Sequence, residues 1–216
     1  MIDPAELGVA AQVLSVRYAQ RQVRRREVFH DYGSYGLPDA TLDMDYNFFH
    51  YDHIGYLALF SEAEVVSGGA EHDYWFGKRA AGALDGEFTT EADLAVVDRA
   101  QRDGRLRLVR DSERVSDSVA VRPVGGHCPG ELLVAVRTEG RPLLLASDAA
   151  HFYEQLEHEW PFFAFTDLGE MRRALTLINQ LARDFGATVV PGHDARTRQR
   201  FPALPGAARD VAVVLS

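Results

Sequence analysis

A single cysteine, Cys128, in 216 residues excludes an internal disulfide and any site built from clustered thiolates, so a bound metal must rely on histidine and carboxylate. Long apolar runs are also missing, and the opening MIDPAELGVAAQVLSVRYAQ lacks a basic stretch followed by an apolar one. The expectation is a cytoplasmic protein with no membrane partner. Basic charge is in short supply: 23 Lys and Arg stand against 32 Asp and Glu, a formal net charge of -9. Such a surface repels nucleic-acid backbones and anionic lipid, which leaves a small molecule as the expected partner. What is present, 46% hydrophobic and 25% charged residues, is enough to bury one core, and residues 1–216 read as a single domain.

The segment VRYAQRQVRRRE (16–27) concentrates arginine and reads as a solvated face; an interaction helix built on Arg24, Arg25 and Arg26 is the rival reading. DYGSYGLPDATLDMDY reads as an irregular connection. A helical or turn-like segment is expected from Gly55 to Phe60, and a short buried strand from Ala63 to Val66, closed by Gly68-Gly69. Thr90 and Asp93 form a capping-box start to a helix with Leu94, Val97 and Ala100 on one face and Gly104 as its stop. The period then changes to alternation at Leu106/Leu108, Val119/Val121 and Leu132/Val134/Val136, followed by LLLA at 143–146, with TEGR at 138–141 as a hairpin turn. A second helix places Met171, Leu175, Ile178 and Leu181 on one face and stops at Gly186, before a strand at Ala187–Val190. Hairpins in the middle with helices between strands at the ends predict a layered α/β sandwich.

Histidines gather where strand signals give way to loops: His50 and His53 in HYDHIG, His127 in GGHCPGE, His193 in PGHD, joined by Asp148 at the end of LLLASD. Taken singly, His127 or His193 reads as an ordinary surface or core histidine. His50, Asp52 and His53 fall close enough for one turn to gather them, and the imidazole and carboxylate mixture suits zinc and other divalent transition metals.

The series HYDHIG, GGHCPGE, LLLASDAAHFYE and VVPGHD resembles, in order, the metallo-β-lactamase superfamily, and within it the N-acyl-homoserine lactonase-like branch. The leading segment VRYAQRQVRRREVFHDYGSYGLPDATLDMDYNFF resembles the amino-terminal region of the same branch. The resemblance implies an αββα sandwich that holds two Zn2+ ions at its edge and opens a lactone ring by attack of a metal-bound hydroxide. Carried over, His50 and His127 belong to the first metal, Asp52, His53 and His193 to the second, and Asp148 bridges them. Asp52 would orient the hydroxide and His151 would act beside the substrate carbonyl or leaving oxygen.

Two departures stand out. The first histidine of the family's His-x-His-x-Asp-His motif falls on Phe48, which cannot coordinate, so the first metal site is depleted. MDYNFF also runs straight into HYDHIG, where relatives insert further strands and a helix, so the N-terminal half looks shortened. Lost strands leave unpaired edges and uncovered apolar surface, from which dimerisation or low stability is expected. A degenerate, non-catalytic member with one metal or none stays open as the alternative function. Cys128 reads as structural, and Phe152, Tyr153 and Trp160 as core or pocket wall.

Overall fold

The computed structural model of the chain describes residues 1–46, 54, 57 and 60–216. Strands β1 (Leu14–Val16) and β2 (Ala19–Arg24) lead into one helical turn, α1 (Arg25–Val28), and β3 (Thr41–Tyr46) returns to pair antiparallel with β2. The arginine-rich segment is therefore strand and turn, and most of β2 is exposed. The solvated-face reading fits; the basic helix does not. Its cations are already matched, Arg24 and Arg26 to Asp39 at 3.0 and 2.8 Å and Arg25 to Glu154.

Strand β4 (Val65–Gly68) lies two residues beyond the expected Ala63–Val66, and the glycine pair does not close it with a turn. At Gly68 a Cβ would sit 1.8 Å from the Gly130 carbonyl oxygen, so this approach of the strand end to the turn at Gly130 tolerates no side chain. Helix α2 (Gly69–Ala80) starts at once. No apolar period announces it, because only Gly69, Glu71 and Trp75 of its residues are buried. Helix α3 (Glu91–Arg102) has the expected capping box: Thr90 Oγ1 accepts from the Asp93 amide at 3.3 Å, and the Asp93 carboxylate accepts from the Thr90 amide at 2.9 Å. Strand β5 (Leu106–Val109) then pairs parallel with β4.

A five-stranded sheet follows, from β6 (Glu113–Arg114), β7 (Val119–Val124), β8 (Glu131–Val136) and β9 (Leu143–Ser147). After helices α4 (Tyr153–His158) and α5 (Leu168–Phe185), β10 (Thr188–Pro191) completes it in the order β10-β9-β8-β7-β6. All its pairs are antiparallel except β9 with β10, which α5 connects as a crossover. Helix α6 (Thr197–Arg200) and β11 (Ala212–Val214), paired with β1, come last.

Alternation along these strands separates two faces. Leu133, Ala135, Leu144 and Ala146 face α5 and bury against Leu175, Ile178 and Leu181, the stripe that its spacing predicts. Val119, Val121, Val134 and Leu145 line the other face, across a cavity of about 340 Å³ from Val65 and Val66 of β4. Trp75 of α2 and Leu94 and Val97 of α3 form the core beyond β4 and β5. The layers run helix, sheet, sheet, helix, as expected of an αββα sandwich.

Candidate metal centre

Three loops leaving the five-stranded sheet bring their chemistry together. His127 lies in the β7–β8 loop, where Gly126 at φ +122° allows a path no L side chain favours. A Cβ on Gly126 would lie 2.4 Å from Cα of Met171, so the loop is pressed against α5. Asp148 follows β9 directly, after Ser147 at φ +46°, a left-handed conformation that a non-glycine residue holds only when its surroundings require it. His193 follows β10 and Gly192, whose amide donates to the carbonyls of Ser147 and Ala150 at 3.1 and 3.0 Å. The His193 amide donates to the His151 carbonyl at 2.9 Å, which joins the two loops through main chain.

Asp148 is the hub. Its carboxylate lies 2.7 Å from Nε2 of His193, and 3.8 Å from Nε2 of both His127 and His151. Ligand atoms of His127, Asp148 and His151 lie within 4.8 Å of one another. All four side chains are buried, and they line a small pocket of about 140 Å³. His151 is stacked on Phe162 with ring centroids 3.5 Å apart, so its ring orientation is set by packing.

The outer partners decide which nitrogen faces inward. Nδ1 of His127 lies 3.1 Å from the Ala164 carbonyl oxygen, and Nδ1 of His193 lies 2.7 Å from that of Asp45. Facing a carbonyl, Nδ1 of His127 donates, which leaves its Nε2 lone pair on the side of Asp148, while His193 is held between two acceptors, the Asp45 carbonyl and the Asp148 carboxylate. Three imidazoles converging on a buried carboxylate, two of them with the far nitrogen tied to main chain, form a donor set that fits a divalent transition metal.

Of the residues predicted from sequence, the structure brings together His127, Asp148, His151 and His193. His151 sits inside the ligand cluster itself, at the same distance from Asp148 as His127. His50, Asp52 and His53, and also Phe48, lie outside the described residues. Cys128 is turned away into the core with Ile54, Trp75, Leu94 and Val97. Phe152 and Tyr153 are core. Trp160, half-buried, stacks on Tyr35 at 4.6 Å.

Supporting residues give little signal in the sequence. Gln155 Oε1 accepts from the amides of His151 and Phe152 at 2.7 and 3.2 Å. Asp194 accepts from the Tyr153 amide at 2.8 Å and from Arg196. Asp45 is fully buried; burial pushes its carboxyl above the usual carboxylate range, against the opposing pull of Arg17 and Gln20. The adjacency of Asp194 to His193 was the one available hint.

No family profile and no curated protein matches the sequence. Solved structures do. An N-acyl homoserine lactone hydrolase with the product N-hexanoyl-L-homoserine at its catalytic metal centre matches with a TM-score of 0.61 at 14% identity, over 89% of this chain and 97% of that one. The hydrolase AbOPH of the beta lactamase superfamily matches with a TM-score of 0.60 at 10% identity, over 97% of each chain. A third structure, from work on how indirect contributions of mutations optimise new enzyme function, gives 0.55 at 19% identity. That match covers 68% of this chain and 53% of the other, so this chain spans about half of that protein's length. At these identities the likeness establishes the fold, which is that of the metallo-β-lactamases.

Proposed function

We propose that the chain is a metal-dependent hydrolase that opens a lactone or related ester. The observation that carries this reading is Asp148, a buried carboxylate met by Nε2 of His127, His151 and His193 at the exit of three loops. Those four residues, with His50, Asp52 and His53 from the sequence, are the proposed ligands, and zinc is the proposed metal. A divalent cation bound there supplies a Lewis acid for the carbonyl oxygen and makes water a competent nucleophile near neutral pH.

The chain's own groups do the rest. Asp148 would neutralise positive charge at the centre, while the Ala164 and Asp45 carbonyls fix the ring orientations of His127 and His193. Phe162 excludes water from one face of His151. Asp52 is assigned to orienting the nucleophile, and His151 either to ligation or to hydrogen bonding with the leaving oxygen. Lactone over other esters rests on the sequence resemblance and on the homoserine lactone hydrolase among the similar structures.

We read the cavity between the two sheets as the imprint of the shortened N-terminal half, and self-association across that region as its expected consequence. Metal content of the purified protein, measured beside hydrolysis of N-hexanoyl homoserine lactone before and after chelation, tests the function. Bound metal with chelator-sensitive turnover, restored by zinc, is expected. Protein with neither metal nor turnover would establish the non-catalytic alternative. Asp148→Ala should lower kcat/KM by more than about 100-fold, the upper end of what changes around a metal ligand cost.

A further inference from the structure

Beside the small pocket lies a larger cleft of about 490 Å³. The two share Phe88, His127, Phe163 and Ala164, so the cleft adjoins the pocket. Phe88, Phe163 and Phe165 line the cleft while 59%, 44% and 36% exposed, unusual for three phenylalanines around one opening. Tyr74 and Trp75 of α2 add further aromatic wall.

Its charge is balanced. Among its described lining residues the formal charges are Lys78 and Glu87, which form an ion pair, and the Lys78 ammonium lies 5.0 Å from the Tyr74 ring centroid. The aromatic rim is also fixed relative to the proposed ligands. The Ala164 carbonyl accepts from His127, and the Thr166 amide donates to the Gly126 carbonyl at 2.7 Å. The loop bearing Phe163 and Phe165 is thus tied at two points to the loop bearing His127.

We propose that this cleft holds the acyl group of the substrate, and that the group it fits is neutral and carries an aromatic ring in contact with Phe88 and Phe163. The assignment rests on the hydrolase reading above for the word substrate, but the binding itself does not. A ring meeting aromatic walls gains quadrupole-ordered contact that an alkyl chain of equal carbon count lacks, and it loses fewer rotamers on binding. A charged acyl group would meet a cleft whose own charges already satisfy each other.

Isothermal titration with two neutral eight-carbon amides, phenylacetamide and octanamide, separates these cases. It is run on zinc-supplemented and chelator-treated protein, with metal content measured on the same samples. Phenylacetamide should bind saturably and about fivefold tighter than octanamide, and Phe88→Ala should reduce its affinity about fivefold. Phe88 is an exposed loop residue, so this variant is expected to fold, and a thermal melt checks it. Equal or tighter octanamide binding, an unaffected Phe88→Ala variant, or no binding of either amide overturns the proposal. Metal uptake and lactone turnover without the aromatic preference overturns this proposal alone. Retained preference in a protein that takes up no metal supports the cleft and removes only the hydrolase reading.

Discussion

Asp194 ties the α4 end of one loop bearing a proposed ligand to the other: its carboxylate accepts from the amide of Tyr153, two residues past His151, while its own backbone continues from His193. Arg196 closes on the same carboxylate at 2.9 Å, so the carboxylate is held by charge as well as by geometry. Asp194→Ala should therefore weaken metal binding by about 10- to 100-fold, read by competition with a chelating dye, with Asp194→Asn intermediate. A surface carboxylate offers a different test. At Asp39 burial opposes ionisation, but the Arg26 amide and the guanidinium groups of Arg24 and Arg26 outweigh it and hold the carboxyl below the usual range. A lowered folded-state pKa contributes stability above the unfolded value and loses it as pH falls through the folded one. Asp39→Asn should be less stable than the parent at neutral pH in urea titrations, and the gap should close in acid. His127, Asp148 and His193 were legible because each is a ligand-type residue where a strand signal ends. Gln155 and Asp45 were not, since a buried amide and a carboxylate that act through backbone atoms leave no pattern of spacing.

Helix α5 shows what an element needs in order to be read from sequence. It carries a cap at each end, with Asp167 accepting from the Glu170 amide at 2.7 Å and Gly186 at φ +60°, and a buried stripe between them. Asp167→Ala should cost about 1 kcal/mol, measured by chemical unfolding. Because Met171 in its first turns packs against Gly126, loosening that end should also disturb the His127 loop. Helix α3 was legible for the same reasons, and the hairpin of β8 and β9 from its alternation and turn. Helix α2 was hidden by its glycine start and sparse apolar face; β2 by arginines that alternate with nothing apolar until Val23. In both, tertiary partners decide the conformation that local preference leaves open.

Across the whole molecule, a layered α/β sandwich could be anticipated from element order and its αββα form from the family resemblance, but the emptiness between its sheets could not, because packing density is a property of assembled faces. Val119, Val121, Val134 and Leu145 face a cavity of about 340 Å³ where a well-filled core would offer side chains. Val134→Ile, adding one methylene on that wall, should stabilise the protein by up to about 0.8 kcal/mol and raise Tm by about 2 °C. A loss of stability would mean that the wall cannot accept the group without strain. The cavity also has a mechanical consequence. Unfolding abolishes internal void, so the unfolded chain with its water occupies less volume, and hydrostatic compression drives the equilibrium towards it. Whatever part of this space water does not fill should add to the volume decrease on unfolding and make the chain yield to pressure at temperatures where heat alone leaves it folded.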